Sequence, residues 1–116
     1  MVAAMIRVAA SGLGLIFAAT GVQKWAGGRS SVQIRDRLGL SSGVWWCVGL
    51  AELAGAAGVA AGSRLPVLGS AAGAGLTALM LGAIGCHVRA GDRAAAWAPA
   101  ALLGATAAGV AVGSHR

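Results

Sequence analysis

Glu52 and Lys24 are the first candidates for chemistry, because each stands inside or beside a long apolar stretch. Glu52 interrupts an otherwise uncharged stretch between Arg37 and Arg64. A carboxylate inside a membrane helix costs about 2.5 kcal/mol or more, so it normally faces the protein interior and has a partner. Lys24 and His87 are the nearest partners by expected depth. Two interpretations remain open: an ion pair that only joins two helices, or a group that transfers a proton or binds a ligand.

A second polar group follows the third apolar stretch, where His87, Arg89 and Asp92 occur close together. Histidine can exchange a proton near neutral pH, and arginine can stabilise an anion. The predicted catalytic residues are Glu52, His87 and Asp92. The predicted substrate-binding residues are Lys24, Arg89, Trp45 and Trp46. The alternative is a simple helix terminus, in which Arg89 pairs with Asp92 and Gly91 ends the helix.

Four tryptophans lie near the ends of the apolar stretches: Trp25, Trp45, Trp46 and Trp97. Tryptophan is enriched at the membrane–water interface, and an aromatic belt explains this placement. The alternative is that some of these rings line a site for an aromatic or quinone-like ligand.

Cys47 and Cys86 are expected on the same side of the membrane at similar depth. They can form a disulfide or redox pair if that side is oxidising. The alternative is two small buried thiols at helix ends. They form no CxxC or zinc pattern, and we expect no metal.

The composition indicates which elements position these residues. The chain has 116 residues, of which 58% are apolar and 10% charged, with a mean hydropathy of +0.79. A soluble domain normally has about 25% charged residues, and disordered chains are poor in apolar ones. The expected partner is therefore the lipid bilayer. Despite the net charge of +6, we expect no nucleic acid, because no basic stripe is interleaved with aromatic residues.

The spacing of charged residues predicts an all-α membrane protein, a four-transmembrane-helix bundle forming one domain over residues 1–116. Each span needs about 20 mostly apolar residues. The predicted helices lie at about 5–23, 44–62, 65–87 and 95–113. Glycine pairs four residues apart allow helices to approach closely, and they occur at Gly58 and Gly62, Gly69 and Gly73, and Gly109 and Gly113. The long first loop suggests a short amphipathic helix or lid.

Four spans place both termini on one side. The first and third loops carry six cations, against three on the other side at Arg7, Arg64 and Arg116. By the positive-inside rule these loops are cytoplasmic. We expect a multi-pass protein of the cell membrane, with the first span retained as a helix rather than removed as a signal peptide. The high alanine, glycine and arginine content suggests a bacterial source.

Several segments resemble the DoxX-like family of small membrane proteins. They are GLAELAGAAGV at 49–59, MLGAIGCHVRAGD at 80–92, GVQK at 21–24 and LGL at 38–40. The resemblance covers nearly the whole chain and implies a four-helix integral membrane fold. The family's polar residues correspond here to Lys24, Glu52, His87, Arg89 and Asp92. Cys86 departs from the pattern, since a small residue such as threonine is expected before this histidine. Members of the family are tied to quinone-linked oxidation, to membrane complexes against oxidative stress, and in distant relatives to cargo binding or assembly.

The favoured function is therefore an enzyme or a redox-complex subunit that acts on a hydrophobic small molecule through acid–base chemistry of Glu52 and His87. A redox version needs another electron carrier, because no haem, flavin or iron–sulfur motif is present. No cofactor is expected, although a quinone is possible. Isomerisation, cyclisation or epoxide opening of such a molecule needs no cofactor. The alternatives are a non-catalytic assembly subunit and a small proton-coupled exporter. Assembly as a homodimer or with a partner membrane subunit is compatible with each of these functions.

Overall fold

A computed structural model describes residues 1–114, which fold into five α-helices without a strand among them. Arg116, counted above for topology, lies outside the described residues. The helices are α1 (Val2–Ala26), α2 (Arg29–Arg37), α3 (Ser42–Ala61), α4 (Pro66–Arg89) and α5 (Ala94–Gly113). Four of them, α1, α3, α4 and α5, are long and apolar enough to cross a membrane. The predicted all-α bundle of four transmembrane helices is confirmed, and the short α2 lies in the long first loop.

The helix ends follow from local sequence. The Ser41 hydroxyl accepts a hydrogen bond from the Val44 N–H at 3.2 Å, which caps the start of α3. Pro66 stands at the start of α4, where its missing N–H leaves no intrahelical bond unmade. Gly91 follows α4 with a φ of 80°, a left-handed conformation that a residue with a side chain adopts only at a cost. These helix-end signals determine where the loops beside the polar residues begin and end.

The long helices pack in the order α1, α3, α4 and α5, with α5 returning to α1. The core consists of apolar side chains from all four, including Leu13, Phe17, Val59, Leu76 and Val110. Large apolar side chains also cover the outside, such as Leu15 and Leu102 at 75% and 70% exposure. A bundle that is apolar both inside and outside is suited to lipid and not to water.

Glycines permit the closest helix contacts. A Cβ at Gly62, which follows α3, would lie 2.7 Å from the Cα of Gly69 in α4, and one at Gly73 would lie 2.8 Å from the Ala107 carbonyl oxygen of α5. Gly109 is different, because a Cβ there would have no neighbour within 4 Å. The expectation that all three glycine pairs mark packing is therefore wrong for Gly109.

Gly73→Ala is expected to lower the free energy of unfolding by about 1–3 kcal/mol, because the added methyl group overpacks the α4–α5 contact. Gly75→Ala is the matched control on the same helix, since a Cβ there meets nothing within 4 Å. Unfolding in detergent, followed by tryptophan emission, measures both. Equal stabilities of the two variants would show that α4 and α5 are not in close contact at Gly73.

Candidate functional site

A close approach of α1 and α3 brings Lys24 next to Glu52. A Cβ at Gly21 would lie 2.8 Å from the Gly49 carbonyl oxygen, and one at Gly49 would lie 3.0 Å from the Lys24 Cβ. Glycine at both positions therefore removes the side chains that would separate the helices. Gly49 precedes Glu52 by about one turn, so the contact lies beside the carboxylate.

Glu52 is only 2% exposed, and its two oxygens have different surroundings. The Thr20 hydroxyl donates a hydrogen bond to Oε2 at 2.5 Å. The Lys24 Nζ lies 2.6 Å from Oε1, so the two groups form an ion pair. Apart from this ammonium, Oε1 has no partner within residues 1–114. Both carboxylate oxygens are therefore held by side chains of α1.

Trp45 completes the surroundings of Lys24. The Lys24 Nζ lies 4.8 Å from the centroid of the Trp45 ring, within the range of a cation–π interaction. The Trp45 Nε1 donates a hydrogen bond to the Ser31 hydroxyl of α2 at 2.9 Å. Trp45 therefore holds the ammonium in place and also joins α3 to α2.

A cavity of about 580 Å³ adjoins this group. This volume is in the range of sites that bind small molecules. Polar lining residues come from α1, α2, α3 and α4. The rest of the wall is mainly apolar and includes Ile34, Leu38, Val44, Leu79 and Met80. The site residues predicted from sequence that line it are Lys24, Trp45, Glu52, Cys86 and His87.

His87 of α4 lines the cavity, and its imidazole ring contacts the Asp92 carboxylate. The His87 Nδ1 lies 2.6 Å from Asp92 Oδ2, and Asp92 Oδ1 accepts a hydrogen bond from Arg37 at 2.7 Å. The Asp92 side chain is only 8% exposed. The Arg89 guanidinium donates to the Leu38 carbonyl oxygen at 3.3 Å. Asp92 and Arg89 thus bind the α2 segment instead of each other, and neither lines the cavity. These two contacts, Asp92 with Arg37 and Arg89 with Leu38, hold α2 against the end of α4, and we call them the latch.

The other predicted residues lie outside the cavity. The Trp46 ring stacks on Trp25 with centroids 5.6 Å apart and an interplanar angle of 16°, and both rings are about half exposed. Cys47 is exposed and Cys86 half-buried, and both are free thiols. Of the two, only Cys86 lines the cavity.

Thr20, Ser31 and Arg37 contribute to the site although the sequence reasoning did not select them. Thr20 precedes Lys24 by four residues, so both lie on one helix face, and this spacing could have identified it. Ser31 and Arg37 carry no comparable signal, because their partners are 14 and 55 residues away in the sequence.

The opposite end of the bundle has a smaller cavity of about 380 Å³. Its polar lining within the described residues consists of Arg7 and three serines, Ser11, Ser63 and Ser114. No group of three or more histidines, cysteines or acidic residues in the described part of the chain is placed to hold a metal ion. Among residues 1–114, the groups that line a cavity and can exchange a proton are therefore found at the α2 end.

Asp92→Ala is expected to raise amide hydrogen exchange in residues 29–37 by about tenfold or more, because it removes the charge-assisted hydrogen bond from Arg37, which joins α2 to the residues after α4. Arg29→Ala is the control, since Arg29 forms no ion pair within residues 1–114. Hydrogen exchange with mass spectrometry measures both. Unchanged exchange in Asp92→Ala would mean that Asp92 does not hold α2 in place.

The fold and the site together define a small multi-pass membrane protein in which α1, α2, α3 and α4 line a cavity with ionisable groups. A sequence model of the DoxX-like family matches residues 8–110, a range that includes Lys24, Glu52, His87, Arg89 and Asp92. The chain belongs to the DoxX-like family, as the sequence resemblance predicted. No curated protein and no solved structure matches it.

Proposed function

We propose that the chain binds a hydrophobic small molecule in the cavity at the α2 end and that Glu52 and His87 exchange protons with it. The supporting observation is that one apolar cavity inside a single chain is lined by both residues. Buried acid and base groups beside a bound molecule are the ordinary requirement for proton transfer.

In this proposal Glu52 is the deeper acid or base. Thr20 and Lys24 hold its carboxylate in place, and Lys24 stabilises negative charge that develops nearby. His87 is the second proton-exchanging group. Asp92 is a positioning residue, because its carboxylate orients the imidazole through Nδ1 without lining the cavity.

Proton transfer of this kind requires no cofactor, so an isomerase, a cyclase or an epoxide-opening enzyme is the favoured version. A redox-complex subunit would use the same cavity for a quinone and would require a partner that carries electrons. The membrane is proposed to be the bacterial cell membrane, on the alanine-, glycine- and arginine-rich composition.

Two other functions fit the observations less well. A purely structural Lys24–Glu52 pair requires no cavity beside it, yet Glu52 lines one of about 580 Å³. An exporter would be expected to place Glu52 at an interface between two copies, whereas Glu52 is buried within one chain. Both observations support the ligand-binding proposal.

Gly82→Leu tests the ligand site by filling it. Gly82 lines the cavity, and a Cβ there meets nothing within 4 Å, so the larger side chain can enter open space. Gly85→Leu is the matched control on α4, equally uncrowded but outside the lining. Mass spectrometry of lipophilic molecules that copurify with each protein is the measurement. A bound molecule retained by the wild type and Gly85→Leu but absent from Gly82→Leu is expected. The same molecules in all three would contradict the proposal.

Proton exchange is tested by incubating the purified protein in nanodiscs with a lipid extract of its native membranes in D₂O. Transfer of a proton to carbon leaves a deuterium in the product, which mass spectrometry detects even when the substrate is unidentified. We expect a deuterated lipophile that requires the wild-type protein and is missing with Gly82→Leu. Incorporation that is independent of the protein would contradict acid–base catalysis.

A further inference from the structure

Arg7 is a cation inside an apolar helix, at the end of the bundle opposite α2. It lies five residues after Val2, the first residue of α1, or about 7.5 Å along the helix axis. A charged side chain at the centre of a membrane helix costs about 2.5–3.5 kcal/mol, and near an end it is stabilised by reaching the interface or an anion. An anion beside Arg7 would therefore bind favourably.

The acidic side chains of the chain do not supply this anion. There are three of them, and each forms an ion pair at the α2 end of the bundle: Asp36 with Arg35, Glu52 with Lys24, and Asp92 with Arg37. Arg7 forms no ion pair within residues 1–114. Its guanidinium is thus free of aspartate and glutamate partners and can bind an anion from outside the chain.

The cavity of about 380 Å³ at this end has polar groups suited to a phosphate. Arg7 and Ser11 line it from one face of α1, four residues apart, and Ser63 lines it from the residues after α3. A guanidinium binds phosphate oxygens through paired N–H donors, and hydroxyl groups donate to them as well. The Ser63 hydroxyl lies 3.5 Å from the Ala60 carbonyl oxygen, which is long for an O–H donor, so it can turn to a ligand.

The remaining lining of this cavity is largely apolar, which favours an amphiphilic anion over a small ion. The larger apolar side chains come from three helices: Val2 and Ile6 of α1, Val59 of α3 and Pro66 of α4. An inorganic ion would leave these side chains without an apolar partner. The glycerol and first acyl carbons of a phospholipid would cover them and add the free energy of apolar burial.

We propose that this cavity binds the phosphate group of a membrane phospholipid, with Arg7 as the ionic partner and the serine hydroxyls as further donors. The two cavities share no lining residue, so this site is independent of the ligand site at the α2 end. Free phosphate offers the same oxygen atoms, and the apolar lining favours the lipid.

Dioleoylphosphatidic acid and dioleoylglycerol are matched probes that differ by the phosphate group. Native mass spectrometry of the detergent-solubilised protein measures the binding of each. We expect Arg7→Gln to weaken phosphatidic acid binding by about tenfold to a hundredfold, the range for hydrogen bonds to a charged group, and to leave dioleoylglycerol binding unchanged. Arg64→Gln is the matched control, because Arg64 is an exposed cation at the same end that does not line the cavity.

Ser63→Ala is a second variant that leaves the helices unchanged, since Ser63 lies between α3 and α4. It is expected to weaken phosphatidic acid binding by a few-fold, the usual contribution of one hydroxyl donor. Equal affinity for phosphatidic acid in Arg7→Gln and Arg64→Gln would overturn the site, and so would equal binding of both probes by the wild type.

An excess of inorganic phosphate separates the two sources of the phosphate group. Phosphatidic acid that stays bound in this excess supports a lipid site, because the apolar contacts then contribute to its affinity. Displacement of the lipid by inorganic phosphate, in the wild type but not in Arg7→Gln, would assign the cavity to free phosphate and overturn the proposed lipid.

Discussion

Lys24→Leu is expected to lower the free energy of unfolding by about 3–5 kcal/mol, because it leaves a buried carboxylate without a counter-charge. The Glu52 and Lys24 side chains are 3% and 15% exposed, so water compensates little for the missing ammonium. Thr20 supplies one hydrogen bond to Oε2 but no charge. The unfolding midpoint in a denaturing detergent is the measurement.

A double variant distinguishes the ion pair from a simple packing effect. Lys24→Leu combined with Glu52→Leu removes both charges and is expected to recover most of the lost stability, as apolar replacements of buried ion pairs often do. Arg29→Leu is a control for the loss of a positive charge at an exposed position of α2. A Lys24→Leu protein as stable as Arg29→Leu would contradict the ion pair with Glu52.

Glu52→Gln is expected to reduce deuterium incorporation into the lipophilic product by about a hundredfold to ten-thousandfold, the usual contribution of a general acid or base. Glutamine has nearly the same shape and can still accept the Thr20 hydrogen bond. It leaves the Lys24 ammonium without its counter-charge, so a loss of stability is expected, and the activity is compared only if the variant is folded. Hydrogen exchange in α1 and α3 verifies this. The comparison of Glu52→Gln with the wild type tests the exchangeable proton while the size of the side chain stays nearly the same.

Asp36→Asn is the matched control for this variant. Asp36 is a carboxylate of α2 whose side chain is 63% exposed and pairs with Arg35 outside the cavity. Its neutralisation is expected to leave incorporation unchanged. If Glu52→Gln remained as active as Asp36→Asn, the carboxylate would have no role in proton transfer.

The long helices and a buried partner for Glu52 were predictable from sequence because both follow from the cost of charge in lipid. Few ionisable groups interrupt the apolar stretches, so the helix limits are close to the charges. A carboxylate in such a stretch needs a partner, and depth in the membrane left Lys24 and His87 as the candidates.

The latch could not be predicted, because it depends on how a loop folds back on the bundle. Spacing suggested that Arg89 pairs with Asp92, three residues on. In the structure Gly91 turns the chain, and Asp92 instead binds Arg37, 55 residues away in the sequence. The rotation of α3 about its axis could not be predicted either, and it determines which of its two tryptophans lines the cavity. Trp45 and Trp46 are adjacent, and only their packing shows that Trp45 lines the cavity while Trp46 stacks on Trp25.

Photolabelling with a long-chain alkyl diazirine tests most directly whether a lipophilic molecule binds beside Glu52. The labelled residues are identified by mass spectrometry of the protein in nanodiscs. The predicted result is labelling of cavity residues on α2 and α4, such as Ile34 and Leu79, that an excess of the same alkyl compound without the diazirine suppresses and Gly82→Leu abolishes. α5 is the internal reference, because it contributes no residue to the cavity lining and exposes Leu102 on the outside. Labelling confined to outward residues such as Leu102, insensitive to the competitor, would contradict a ligand site in the bundle.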